Sequence, residues 1–546
     1  MRTAIEDSFP AVAEGLKALE GRRFVERLWA QDAGLWSANP AQQAVIKNRL
    51  GWLASPSFMR ERLAELKEFA EEIRRAGFSH VVLLGMGGSS LAPEVFALTF
   101  GSKQGSPTLL VLDSTDPAAV KNSLNRVDLA HTLFIVASKS GTTLEPLAFY
   151  KFFRARVEQI RAEPGPQFVA ITDSGTPLEK RAKEEHFRRV FVNPSTIGGR
   201  YSAISYFGLV PASLIGVDLD RLLERTDAMV ARSTDKVPLR ENPGVVLGAA
   251  LGALAKAGRD KVTLLLSPRL QAFGSWVEQL LAESTGKEGR GLIPVDGELP
   301  AGPAVYGQDR FFVAVTLDGE ADLDGHLREL QAAGHPVFRI TLKDPFDLGA
   351  EFFRWEVATA TAGALLEVNP FDEPNVQEAK ENTAKLLRAS RPGARRADRT
   401  PDSEQDALAA HLAQAKPGDY LALLAYLPPS AEVSVQLQAL RTLIRERLKI
   451  ATTVGYGPRY LHSTGQLHKG GPGTGLFILI TGDDREDLAI PGEPYSFGAL
   501  KNAQALGDLE ALKGRGRRVI RLHVDDTATE TLERLTRVAA RVIKAT

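Results

Sequence analysis

The 546-residue chain contains no cysteine, which excludes a disulfide framework, cysteine-ligated zinc, iron–sulfur clusters and thiol catalysis together. It has no surplus of charge: Lys+Arg and Asp+Glu both count 67, a formal net charge of +0. No global field is available to hold nucleic acid or an anionic membrane, so any anion has to be captured locally. Long apolar runs are missing too. The longest, Val245 to Ala255, falls far short of the roughly 18 apolar residues a membrane span needs, and the opening MRTAIEDSFP has no apolar signal core. These absences lead us to expect a soluble protein of the reducing cytoplasm.

What is present is the makeup of an ordinary globular chain, 44% hydrophobic and 25% charged, with a length that predicts about three or four domains. Residues 1–75 read as a helical segment, with apolar positions at helical spacing around Phe24, Leu28 and Trp29 and again from Phe58 to Ile73. From Val81 the runs VVLLG, LLVLD, FIVAS and FVAIT alternate with helix-like stretches, the rhythm of a parallel sheet covered on both faces. A second series, KVTLLLS, RFFVAVT and PVFRITL, closes in helical segments around Ala358 and Asn375. The stretch Arg388–Asp402, rich in Pro, Arg and Asp, reads as a linker. A third series follows with YLALLAYL, LFILIT and RVIRLHV. The predicted architecture is α/β with doubly wound parallel sheets: a helical segment 1–75, then blocks 76–230, 240–387 and 403–546.

Two loops at strand ends carry ligand chemistry. GMGGSSLAP, with Gly88 and Ser89, follows the first strand, where glycines let the backbone approach a ligand and a helix N-terminus offers N–H donors. The spacing is not GxGxxG, so a dinucleotide is not expected, and a plain tight turn is the alternative. SKSGTTLEP follows the third strand and crowds Ser138, Ser140, Thr142 and Thr143 beside Lys139. Capping explains one hydroxyl, whereas four in six residues suit a phosphate. No GxxxxGK[ST] occurs, so a phosphorylated metabolite is expected instead of a hydrolysed nucleotide. Further on, Gly198, Gly199 and Arg200 suggest a turn presenting a guanidinium to developing negative charge. Glu283 ends an apolar helix, where partial burial can make it a general base. Taken singly, Arg200 also reads as a surface ion pair and Glu283 as a helix-end charge.

In this order GMGGSSLAP, SKSGTT, GGRYSAIS, ESTGK and GALLEVNPFDEPNVQEAK resemble the glucose-6-phosphate isomerase (phosphoglucose isomerase) family, whose fold is a pair of sugar-isomerase (SIS) domains. The segments FVERLWAQDAGLWS and HKGGPGTGLFILIT look more narrowly like the isomerase half of bifunctional transaldolase/glucose-6-phosphate isomerase proteins. A transaldolase barrel of about 250 residues has no room before the first strand, so that activity is not expected. The resemblance implies interconversion of glucose 6-phosphate and fructose 6-phosphate through a cis-enediol. Glu283 would be the base, Arg200 the stabiliser of the intermediate and Lys380 an aid to ring opening. Ser138, Lys139, Ser140 and Thr143 would hold the phosphate, with Gly88, Ser89, Gly199 and Gln279 lining the sugar pocket. It implies no metal, no cofactor, no nucleic acid or membrane partner, and a homodimer.

Two departures stand out. The family's Phe-Asp-Gln reads Phe371-Asp372-Glu373 here, setting a carboxylate where an amide is expected near the phosphate. The family's ring-opening histidine, which precedes a Gly-Gln pair, is absent from AVYGQDR in the second block, but YLHSTGQLHKGG in the third carries a similar segment. We therefore expect the third block to be a partial repeat that returns His462 to the site, with His468 as the competing candidate and two structural loop histidines as the alternative. His80, His131, His186, His326, His335, His411 and His523 show no metal-ligand spacing. Competing functions are a dual phosphoglucose/phosphomannose isomerase and a non-catalytic SIS sugar-phosphate sensor.

Overall fold

The N-terminal helices form where the apolar spacing places them, and they pack on the first two sheets instead of standing apart. The computed structural model describes residues 4–320, 323–389, 401–524 and 528–543. The expected Phe58–Ile73 helix is two helices, Ser55–Glu61 and Leu63–Arg75. At the break the Arg62 guanidinium stacks on the Phe58 ring, and its Nη1 donates to the Phe58 carbonyl at 2.9 Å. That carbonyl would otherwise accept from the Arg62 N–H, which turns to Met59 O instead. Leu63, Leu66, Phe69 and Ile73 form the buried stripe of the second helix.

Thirteen strands make three parallel sheets among the described residues. The first holds β1 (His80–Leu84), β2 (Thr108–Leu112), β3 (Thr132–Ala137), β4 (Phe168–Asp173) and β5 (Arg189–Asn193) in the order β2-β1-β3-β4-β5. The second holds β6 (Lys261–Leu266), β7 (Ile293–Val295), β8 (Arg310–Leu317) and β9 (Val337–Leu342) in the order β7-β6-β8-β9. The third holds β10 (Tyr420–Tyr426), β11 (Ala451–Tyr456), β12 (Gly475–Gly482) and β13 (Arg518–Val524) in the order β11-β10-β12-β13. Each sheet thus grows outward on both sides of its first strand. Such a reversal leaves a crevice beyond the strands' carboxyl ends, where α/β sheets bind ligands.

The strands β5, β7 and β11 escape the sequence pattern, although the other edge strands, β2, β9 and β13, are found by it. With one neighbour and part of their length exposed, or with only three residues, they show no continuous apolar run. The segment around Asn375 is a turn, and the helix begins at Gln377. The predicted linker falls mostly on residues 390–400, outside the described residues.

The long apolar run is accounted for by packing. It forms the Pro243–Lys256 helix, buried on every side against the Leu348–Leu366 helix, and a Cβ at Gly248 would stand 2.4 Å from Ala358 O. One continuous core joins the N-terminal helices to the first and second sheets. The third block packs on both. Phe497 and Leu500 meet Phe149 and Phe152 under the first sheet, and Tyr460 and Leu467 meet Ala282, Ile293 and Val295 of the second.

Candidate active site

In the first sheet β1 and β3 are neighbours, with Leu84 beside Val136, so the loops that leave them open side by side. GMGGSS is held by close backbone approaches. Gly87 has φ +53°, and a Cβ there would stand 2.7 Å from His462 O. A Cβ on Gly88 would lie 2.0 Å from Gly199 O, so only glycine lets this loop meet the Gly199–Tyr201 turn. In the second loop Ser138 is buried and its Oγ donates to Thr143 Oγ1 at 3.0 Å, while Ser140 and Thr142 share a hydroxyl contact of 2.9 Å. Thr143 sits at the N-terminus of the 15-residue Leu144–Glu158 helix, where free N–H groups and the helix dipole favour an anion. Lys139 Nζ bonds to Asp173 and, at 2.9 Å, to Ser195 O. Burial pulls its ammonium below the usual lysine range, with Asp173 opposing.

These loops wall a cavity of about 500 Å³. Arg200 lines it with a side chain only 4% exposed, and every part of its guanidinium is engaged. Nε donates to Ser284 Oγ at 2.7 Å, Nη2 to Pro370 O at 2.8 Å and Asp372 O at 2.9 Å, and Nη1 to Glu373 Oε2 at 2.9 Å. The same Nη1 lies 3.4 Å from Glu283 Oε1. A surface ion pair is therefore ruled out for Arg200. Glu283 ends the Gln271–Thr285 helix, and one turn earlier Gln279 Nε2 donates to Glu283 Oε2 at 3.1 Å and to His462 O at 2.8 Å. Burial pushes the Glu283 carboxyl above the usual range, Arg200 opposes and Glu373 adds to the rise. Glu373 shifts the other way. Burial would raise it, but Arg200, which it also hydrogen-bonds, outweighs burial and holds it below the usual range. Lys287 of ESTGK is buried and clamps the neighbouring turn through Asn369 O and Asp372 Oδ1, both at 2.7 Å. Burial brings its ammonium down to about 8.

The third block reaches the cavity through the Arg459–His462 turn. Arg459 anchors this turn on the first block, with Nη1 2.9 Å from Glu94 Oε1 and 3.2 Å from Asp113. His462 Nε2 lies 2.9 Å from Glu145 Oε1, which also accepts from Gln504 Nε2 at 2.7 Å. Glu145 is buried, which raises its carboxyl, yet His462 outweighs burial and the net shift is downward. His468 does not reach the cavity. It lies among the Tyr460 and Phe477 rings, and burial holds its imidazole well below the usual range.

The structure thus brings Gly88, Ser89, Lys139, Ser140, Thr143, Gly199, Arg200, Gln279, Glu283, Lys380 and His462 to one cavity wall. Ser138 is the exception, standing behind the wall and holding Thr143. Sequence reasoning gave no role to Arg49, Asp173 and Ser195, which also line it, or to Glu145. Glu145 lies two residues past Thr143 in a motif already singled out, so an acid on the first turn of a ligand-facing helix was the available signal. Arg49 stands in no motif.

A family model described as phosphoglucose isomerase matches residues 54–309. That span includes Arg200 and Glu283 and stops before Lys380 and His462. The glucose-6-phosphate isomerase of Rubrobacter xylanophilus is 30% identical over 397 residues, covering 62% of this chain and 90% of its own length. A hypothetical protein from Thermus thermophilus has a solved structure that is similar with TM-score 0.61 at 27% identity, over 71% of this chain and 99% of that one. A glucose-6-phosphate isomerase from Chlamydia trachomatis shares the fold with TM-score 0.52 at 22% identity, over 67% of this chain and 78% of its own.

Proposed function

The chain belongs to the phosphoglucose isomerase family, and from that premise we propose that it interconverts glucose 6-phosphate and fructose 6-phosphate by moving one proton between C2 and C1. The observation that carries this is the Glu283 carboxylate standing 3.4 Å from the buried Arg200 guanidinium in a cavity with a hydroxyl-lined helix N-terminus on its wall. The phosphate would sit at Ser140, Thr143 and the N–H groups of that helix. Lys139 would add a positive charge already shared with Asp173. Ser138 would act through Thr143.

With the sugar open, Glu283 takes the C2 proton of the aldose and the electron pair moves toward O1. The resulting enediolate lies beside Arg200, whose charge is fixed before the reaction and needs no reorganisation. Transfer of a proton between O1 and O2 and return of the Glu283 proton to C1 give the ketose. A carboxyl raised by burial is a stronger base near neutral pH than an exposed one. His462 suits ring opening. It borders the cavity, and Glu145, 2.9 Å from its Nε2, can hold the imidazole in place beside the sugar's ring oxygen. Lys380, which lines the same cavity, would assist that step.

The third sheet repeats the strand order of the second, which supports reading 403–546 as a partial SIS-like repeat beside SIS blocks 76–230 and 240–387. A cytoplasmic setting and a homodimer belong to the same proposal. The direct test is a coupled assay in which purified protein converts fructose 6-phosphate to glucose 6-phosphate. Conversion at enzymatic rates is expected, and its absence from protein that binds the sugar phosphate overturns the reading. Mannose 6-phosphate in the same assay tests the dual-isomerase alternative.

A further inference from the structure

The resemblance puts an amide where this chain has Glu373, and that carboxylate does not point away from the site. It lines the cavity and takes its hydrogen bond from Arg200 Nη1 at 2.9 Å, the same nitrogen that lies 3.4 Å from Glu283 Oε1. One guanidinium nitrogen therefore serves two carboxylates. The other donors of Arg200 are spent on Ser284, Pro370 and Asp372, so Nη1 is the part of the guanidinium through which the two acids sense each other.

We propose that Glu373 is a positioning residue that acts through Arg200: it fixes Nη1 beside Glu283 and divides the charge of that nitrogen between the two carboxylates. The inference rests on the proposed roles of Glu283 and Arg200. Two like charges on one cation cannot both be fully stabilised, so the one with more cationic neighbours stays ionised and the other keeps its proton longer. Around Glu373 the cations are Arg200, Lys287 and Arg49. Glu283 has Arg200 from the Gly199–Tyr201 turn, with the Tyr201 phenol next to it. Gln279 faces it from its own helix and His462 from the third block, while Glu373 itself is the opposing negative charge. Glu373 thus has the larger share of positive charge and is held below the usual range chiefly by Arg200, whereas Glu283 is raised first by burial, with Glu373 adding to the rise. A glutamine at 373 would keep the hydrogen bond to Nη1 through its amide oxygen and remove the charge. An alanine would remove both.

The experiment compares wild type, Glu373→Gln and Glu373→Ala in two readouts. The first is the pH profile of kcat/KM for fructose 6-phosphate. The second, independent of turnover, is the pH dependence of calorimetric affinity for an aldonate phosphate, whose C1 carboxylate mimics the enediolate and binds best when Glu283 holds a proton. For Glu373→Gln both midpoints governed by Glu283 should move to lower pH by about one unit. Glu373→Ala should move the same way and also lose kcat, a loss that Gln restores because Arg200 stays held. Midpoints that coincide with wild type, or that move to higher pH, overturn the inference. The function and the inference fail separately. A wild type that binds the analogue without isomerising refutes the function, whereas an active wild type with an unmoved Glu373→Gln midpoint refutes the inference alone.

Discussion

At the scale of single residues, burial and charge pairing set two similar groups apart. His462 and His468 lie six positions apart in one segment. His468 is enclosed by aromatic rings and kept neutral, while His462 faces the cavity and has a buried carboxylate 2.9 Å from its Nε2. We predict that His462→Ala lowers the rate from cyclic glucose 6-phosphate about 100-fold with KM changed little, whereas His468→Ala acts on stability. Stopped-flow rates from cyclic substrate check this, and a normal rate for His462→Ala contradicts the ring-opening role. The sequence carried Arg200, Glu283 and the hydroxyl loop because each sits in or next to a glycine-rich or hydroxyl-rich segment of unusual composition. Arg49 and Asp173 were not legible, since nothing in their neighbours sets them apart from surface charges. His462 was legible only through resemblance. Its partner Glu145 is 317 positions away, beyond any local pattern.

At the scale of elements, a strand announces itself where its apolar run is long enough, as in the central strands and in the edge strands β2, β9 and β13, whereas β5, β7 and β11, short or partly exposed, do not. The site depends on elements that touch through glycine. The Gly465–Gly470 helix of the third block lies on the end of the Gln271–Thr285 helix that carries Glu283, and a Cβ on Gly286 would stand 2.5 Å from Leu467 Cα. A shift at that contact is passed to the His462 backbone, which Gln279 ties to the same helix. Gly286→Ala should therefore cost about 1–3 kcal/mol of stability by overpacking and lower kcat together with it. Thermal melts and initial rates on the same preparation test this; an alanine variant with wild-type melting and wild-type rate contradicts the proposed dependence on close approach.

At the scale of the whole molecule, the core encloses ionisable groups, and that gives its stability a pH dependence. Glu351 in the Leu348–Leu366 helix is 2% exposed, and burial raises its carboxyl to about 7, with Arg354 opposing. From the ordinary carboxylate value near 4.5 up to about 7, the folded chain keeps a proton that the unfolded chain has released. This group's contribution to stability therefore falls as pH rises through that window and is flat outside it. Glu351→Gln removes the slope, so its melting temperature relative to wild type should be higher at pH 8 than at pH 4.5. An offset that is equal at both pH values contradicts the assignment.

The same whole-molecule arrangement brings hydroxyls, a helix N-terminus and a few cations from distant segments to one cavity of a neutral chain, the local capture that the proposed function requires. The absence of cysteine agrees with a carboxylate as the proton carrier. That carrier is the central claim, and Glu283→Gln measures it most directly. The amide keeps the size and the contact with Gln279 but cannot accept the C2 proton. Turnover of fructose 6-phosphate should fall by at least about 100-fold, while calorimetric affinity for the sugar phosphate stays near that of wild type. A Glu283→Gln variant that turns over at close to the wild-type rate would contradict the account.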